Sequence, residues 1–231
     1  MLSLSNVTSY YGKTPILQGI GLNVEKGECL CVLGRNGVGK TTLMQTIMGL
    51  TTSMTGKLFV DGQDVTSRKT ADRAKAGLGY VPQGRRILGK FTVRENILLG
   101  TFARHDGKSV IPEICLELFP YLRDNLDKKA GFLSGGQQQQ LAIARALATD
   151  PKILLLDEPT EGIQPNIVAD IHASLVKLNR ELGITLVLTE QHIKIAKAMS
   201  DKFVIMDIGR IVSSGQASDL TQEVIDKHLS I

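Results

Sequence analysis

Gly34, Gly39, Lys40 and Thr41 satisfy the spacing GxxxxGK[ST] within the stretch CLCVLGRNGVGKTTLMQTIMGL. The stretch reads as a strand, a glycine-rich loop and then a helix. Glycines at 34, 37 and 39 let the backbone turn so that its N–H groups face inward at an anion. The helix starting near Lys40 aims its positive dipole end at the same point. Such a cradle runs over Gly34, Arg35, Asn36, Gly37, Val38, Gly39, Lys40, Thr41 and Thr42. Its chemistry is nucleotide binding, with Lys40 reaching the β- and γ-phosphates and the Thr41 hydroxyl supplying a Mg²⁺ ligand.

Two more polar groups follow apolar runs in the same manner. Asp157 and Glu158 come directly after Ile153–Leu156, and Thr189-Glu190-Gln191-His192 after Thr185–Leu188. In an open α/β sheet the ligand lies beyond the carboxyl ends of the strands. An isolated Asp-Glu pair is ordinarily a solvated strand end. Opposite a phosphate cradle, Asp157 becomes a support for Mg²⁺ and Glu158 a base for a water in line with the γ-phosphate. A lone His is more often structural, yet His192 also falls at a strand's end. A second anion site opens at Leu133-Ser134-Gly135-Gly136-Gln137, where Ser134 is a natural N-cap and the paired glycines bare backbone N–H groups. This site either folds over the chain's own nucleotide or serves that of another copy, and spacing alone allows both.

The elements that must position these groups are short. Runs at 28–33, 78–81, 153–156, 185–188 and 203–206 read as strands buried on both faces. Between them, 165–182 places Ile167, Ile171, Leu175, Leu178 and Leu182 on one helical stripe, with Pro165 at its start. This alternation predicts an α/β fold with a largely parallel sheet. Residues 2–7 and 16–24 alternate like antiparallel strands, whereas 86–150 holds helical stretches only. The final helical pattern, with Leu220, Val224, Ile225 and Leu229 on one side, is expected to pack on its own domain.

Composition narrows the classes. The 231 residues suit one large domain, and 42% hydrophobic with 22% charged residues excludes a disordered chain. The formal charge of +4 is too small to argue for a nucleic-acid partner. Apolar runs fall far short of the roughly 20 residues a membrane span needs, and the first residues lack a secretory pattern. Cys29, Cys31 and Cys115 form no metal-ligand spacing and are expected as small core residues.

Taken in order, these motifs resemble the nucleotide-binding subunit of an ABC transporter over nearly the whole chain. The residues that carry the resemblance are Tyr11 before Gly12, GRNGVGKTT at 34–42 and Gln83 in YVPQG, then LSGGQ at 133–137, ILLLDEP at 153–159 and His192. It implies a P-loop NTPase (RecA-like) core with an antiparallel N-terminal β subdomain and an α-helical insert. Residues 1–231 would form one ATP-binding domain, with a core of about 1–85 and 151–231 and a helical subdomain of about 86–150. The implied cofactors are ATP and Mg²⁺. Tyr11 would stack on adenine, Gln83 would serve the metal and coupling to a membrane subunit, Glu158 would be the general base and His192 the γ-phosphate sensor. Two subunits, either identical copies or this chain with a related ATPase, would sandwich two ATP molecules head to tail, so that Ser134, Gly135, Gly136 and Gln137 meet the partner's nucleotide.

The implied assembly adds integral membrane permeases and, indirectly, an extracytoplasmic solute-binding protein, with this chain peripheral on the cytoplasmic face of the inner membrane. The stretch 84–96, with Arg85, Arg86, Ile87, Leu88, Lys90 and Phe91, is the expected docking groove. VPQGRRIL, FTVRENILLG, DEPTEGIQP and the closing HLSI look most like subunits of urea and branched-chain amino-acid importers, and Glu161–Pro165 points toward urea. Two positions depart from the usual family pattern: Gln140 stands for an Arg after the signature, and Gln164 for an Asp linking the two sites.

Overall fold

The computed structural model describes residues 1–229; the last two residues of HLSI lie outside the described residues. The alternating N-terminal segments form β1 (Leu2–Tyr11) and β2 (Thr14–Val24), paired antiparallel across a tight turn. β3 (Cys29–Leu33) leads through the glycine loop into α1 (Lys40–Met48). β4 (Ser53–Val60) returns to pair with β1, and the short β5 (Gln63–Asp64) completes a four-stranded sheet of order β2-β1-β4-β5. After α2 (Thr70–Lys75) comes β6 (Leu78–Val81). Residues 86–150 then supply helices α3 (Val93–Gly100), α4 (Glu113–Leu118), α5 (Pro120–Arg123) and α6 (Gly135–Leu147), with a single isolated bridge between Thr92 and Lys129. The chain continues as β7 (Ile153–Asp157), α7 (Pro165–Arg180), β8 (Thr185–Glu190) and α8 (Ile193–Met199). It closes with β9 (Lys202–Asp207), β10 (Arg210–Gln216) and α9 (Gln222–His228).

The second sheet has the order β10-β9-β3-β8-β7-β6 and is parallel except at β10. Its strands carry apolar residues at consecutive positions because both faces are covered. Leu30, Val32, Leu155 and Val187 face one core, shared with α1 and the four-stranded sheet. Cys31, Leu33, Leu154 and Leu156 face the other, shared with α6 and α7. Successive side chains on a strand point to opposite faces, so the continuous runs split between two cores. The three cysteines are free and buried, and burial pushes the Cys29 thiol up to about 12. Leu220 and Ile225 are buried in the second core, as the terminal helical pattern requires.

One stripe residue departs from expectation. α7 ends at Arg180 and Leu182 is 48% exposed. The amide of Asn179 donates to the carbonyls of Gly27 (2.8 Å) and Ile184 (3.0 Å). These bonds draw the chain off the helix one residue before the period would bring Leu182 inward.

Candidate active site

β8 lies between β3 and β7, and their carboxyl ends are level: Leu33 pairs with Glu190, and Asp157 with Thr189. The glycine loop, the two carboxylates and the Gln191-His192 segment therefore emerge side by side from one sheet edge. Gly34 has φ +153°, and a Cβ there would lie 2.7 Å from the Met206 carbonyl oxygen and 2.8 Å from Val38 Cγ2. Only glycine lets the loop leave β3 at this angle while pressed against β9. Lys40 is buried, and its Nζ donates to the carbonyls of Gly34 (2.8 Å) and Arg35 (3.0 Å) and pairs with Glu158 Oε1 at 3.1 Å. A cavity of about 330 Å³ is lined by Asn36, Gly37, Lys40, Thr42, Gln83 and Glu158.

The adjacent carboxylates have different surroundings. Asp157 Oδ1 accepts from the hydroxyls of Thr189 (2.9 Å) and Thr41 (3.3 Å). Asp157 Oδ2 is buried with no partner among the described residues. Burial holds this carboxyl above its usual range, and the two threonine bonds partly oppose that. Glu158 turns sharply with φ +47°, and its N–H donates to Thr189 Oγ1 at 2.8 Å. One Thr189 hydroxyl thus donates to the first acid and accepts from the second. The Glu158 carboxylate also accepts from Gln191 Nε2 at 3.0 and 3.1 Å and from Gln83 Nε2 at 3.3 Å, while Gln83 donates to Glu161 Oε2 at 2.8 Å. Glu190 accepts from the Thr160 hydroxyl at 2.8 Å, and burial raises its pKa.

His192 is the exposed N-cap of α8. It lines a second cavity, of about 560 Å³, together with Asn36, Glu158, Gly162, Gln191 and Lys194. Glu158 and Asn36 border both cavities, so the acid stands between the cradle and His192.

Ser134 to Gln137 and Tyr11 line neither of these cavities. Ser134 caps α6: its side chain accepts from the Gln137 N–H, and the Gln137 side chain accepts from the Ser134 N–H at 2.9 Å, a reciprocal capping box. Gly136 touches α7 closely, since a Cβ there would meet Ile167 Cγ2 at 2.6 Å. Tyr11, 42% exposed, donates its hydroxyl to Gln45 on α1. Gln140 is buried along α6, and Gln164 caps α7 without a side-chain bond to it.

Arg85 changes the expected docking groove. Its guanidinium lies about the Cα of Gly135, 3.0 Å from where a Cβ would sit, and its Nη2 approaches the Gly162 carbonyl at 3.4 Å. Arg85 and Arg86 both adopt positive φ, and Arg145 of α6 donates to their carbonyls at 3.3 and 2.9 Å. This turn therefore ties the segment after Gln83 to the signature helix, and Arg85 belongs to that tie. Leu88 and Phe91 remain exposed, and Phe132 joins them through the bonds from the Ala130 N–H to Phe91 O and from the Gly131 N–H to Gly89 O. Sequence reasoning named Thr189 and Gln191 in the stretch leading to His192 but gave neither a role. Their place just before and after the end of β8 was the available signal, and a strand-by-strand register would have supplied one.

The residues present suit a hard divalent cation. Among the described residues no three His, Cys, Asp or Glu side chains cluster as a cage. Instead a hydroxyl, an amide and a carboxylate with an unpartnered buried oxygen converge beside a phosphate cradle. Mg²⁺ is bound in this way, through one or two protein oxygens with phosphate and water completing its shell.

The family description "ABC transporter" matches residues 17–161. The chain belongs to the ABC transporter family. This ABC protein binds ATP and is an ATP-hydrolysing transporter subunit. It is 38% identical to the "High-affinity branched-chain amino acid transport ATP-binding protein BraG" of Pseudomonas aeruginosa, with 99% of each chain covered. It is also 34% identical to the "Probable branched-chain amino acid transport ATP-binding protein LivF" of Archaeoglobus fulgidus, over 96% of this chain and 94% of that one. Among solved structures, a dimeric, post-hydrolysis ATP-binding cassette bound to ADP and phosphate superimposes with a TM-score of 0.82 at 28% identity, covering 94% of this chain and 99% of the other. The ABC ATPase fold expected from the motifs is the fold observed.

Proposed function

We propose that this ABC ATPase is the peripheral, ATP-hydrolysing subunit of an importer for branched-chain amino acids. The full-length similarity to BraG carries this reading, since 99% of each chain is covered at 38% identity. It replaces the preference for urea drawn from Glu161–Pro165, because the relatives quoted above are named for branched-chain amino acids.

In the proposed mechanism the 34–42 cradle binds the phosphates and Tyr11 stacks on the adenine. Thr41, Asp157 and Gln83 would hold Mg²⁺, which when bound neutralises phosphate charge. The incoming γ-phosphate draws Lys40 away from Glu158. The freed carboxylate accepts a proton from a water, whose oxygen attacks the γ-phosphorus while the bond to the β-phosphate oxygen breaks. Gln191 keeps Glu158 oriented, and His192 approaches the γ-phosphate from the second cavity. Ser134 and its neighbours complete the site of a second copy, consistent with their position away from the chain's own cradle. The segment around Gln83 passes this change to the 86–150 helices through the Arg85–Arg145 tie. No helix among the described residues is long and apolar enough to cross a membrane, so the transport pathway is assigned to permease subunits seated on Leu88, Phe91 and Phe132 at the cytoplasmic face. A solute-binding protein would act on the far side.

Deleting the gene and measuring uptake of labelled leucine, isoleucine, valine and urea tests the assignment. Loss of branched-chain uptake supports it. Loss of urea uptake alone overturns it in favour of a urea importer.

A further inference from the structure

Tyr80 takes no part in the chemistry above, yet its hydroxyl is buried without a hydrogen-bond partner among the described residues, as is Asp157 Oδ2. Buried polar atoms nearly always have partners, so two orphans in one neighbourhood call for an explanation. The strand register places them together. Tyr80 pairs with Leu155 on β7, and Asp157 follows two residues later on the same face. That face is the one covered by α1, against whose core Tyr80 packs. Burial raises the phenol's pKa, and the nearby Asp157 raises it further through its charge and a side-chain interaction that falls short of a hydrogen bond, so the phenol keeps its proton.

An apolar space at this position would favour Phe, whose ring packs as well without an unsatisfied oxygen. A cation ligand explains the pair instead. Mg²⁺ retains several waters when it binds, and one such water has two hydrogens to donate and no free acceptor role. We propose that Tyr80 is a positioning residue for the cation that accompanies ATP, its oxygen and Asp157 Oδ2 together holding one water of the cation's hydration shell. This rests on the reading of Thr41 and Asp157 as the metal site.

The test compares wild type with Tyr80→Phe, which removes one oxygen. Binding of a fluorescent ATP analogue in EDTA is expected to be unchanged, and the nucleotide-free protein should melt at the same temperature or higher. Mn²⁺ bound alongside a non-hydrolysable ATP analogue, followed by electron paramagnetic resonance, should be held about three- to tenfold more weakly by the variant, the loss of one hydrogen bond. Equal Mn²⁺ affinity in the two proteins overturns the proposal alone. Failure of Mn²⁺ to bind wild type overturns the metal site and the proposal with it. A variant that melts lower and loses EDTA-state binding in parallel marks Tyr80 as a packing residue and also refutes the proposal.

Discussion

Glu158→Gln separates the ion pair that the structure gives this carboxylate from the base role proposed for it. Among the described residues Glu158 is the only charged partner of Lys40, a pair at 3.1 Å with side chains 4% and 7% exposed. In the proposed mechanism ATP breaks this pair to recruit Lys40. A hydrogen bond to a charged group contributes about 1.5–3 kcal/mol, and Gln keeps a weaker neutral acceptor, so the saving is about 1–2 kcal/mol. That corresponds to roughly five- to thirtyfold tighter ATP binding. Removing the negative charge also removes repulsion toward the γ-phosphate, which acts in the same direction. Turnover should move the other way, falling by about 10²–10⁴ with loss of the general base. Anisotropy of a fluorescent ATP analogue in EDTA measures the first effect, and single-turnover phosphate release with Mg²⁺ the second. The nucleotide-free variant should also melt lower, since Lys40 then stays buried on two carbonyls, and ATP should restore it. Unchanged affinity together with full-rate phosphate release would refute the reasoning.

Two further outcomes follow from the same geometry. Asp157 is held above its ordinary pKa of 3.8 by burial, so the folded state binds more protons than the unfolded between that value and the raised one. Stability then falls as pH rises across this window and stays low above it. Nucleotide-free Asp157→Asn should therefore be more stable than wild type to urea at about pH 7, with the gap closing below about pH 4; a gap independent of pH would contradict the assignment. Gly136→Ala drives a methyl to 2.6 Å from Ile167 Cγ2 and should cost about 1–3 kcal/mol in urea unfolding. Adding Ile167→Ala should recover most of the loss, and a double variant no more stable than Gly136→Ala would show that α6 and α7 do not meet there.

Much of this was legible from residue types and spacing. The apolar runs placed β3, β6, β7, β8 and β9 because a strand buried on both faces needs hydrophobic residues at successive positions. The cradle and the Ser134 cap were legible because glycine and serine do local work there. What escaped was set by distant partners. Leu182 fits the helical period but loses to the Asn179 bonds across to Gly27 and Ile184. Arg85 looks like a surface cation until Arg145, on a helix far along the chain, fixes its turn. Gln191 beside Glu158 follows only from the order β3-β8-β7, which sequence periodicity does not encode. The solute was legible only as resemblance, since no residue of this ATPase is proposed to touch it.

The central claim is that one copy's Lys40 cradle and another's Ser134 segment form a single working site. Mixing Lys40→Ala with Ser134→Ala protein tests it directly. Each variant alone should be nearly inactive, because both of its sites lack one half. If the copies exchange at random, half the dimers carry one intact site of two, and the mixture should recover about a quarter of wild-type ATP hydrolysis. A mixture as inactive as its components, under conditions where wild type is active and the variants are shown to exchange, would contradict a site built from two copies.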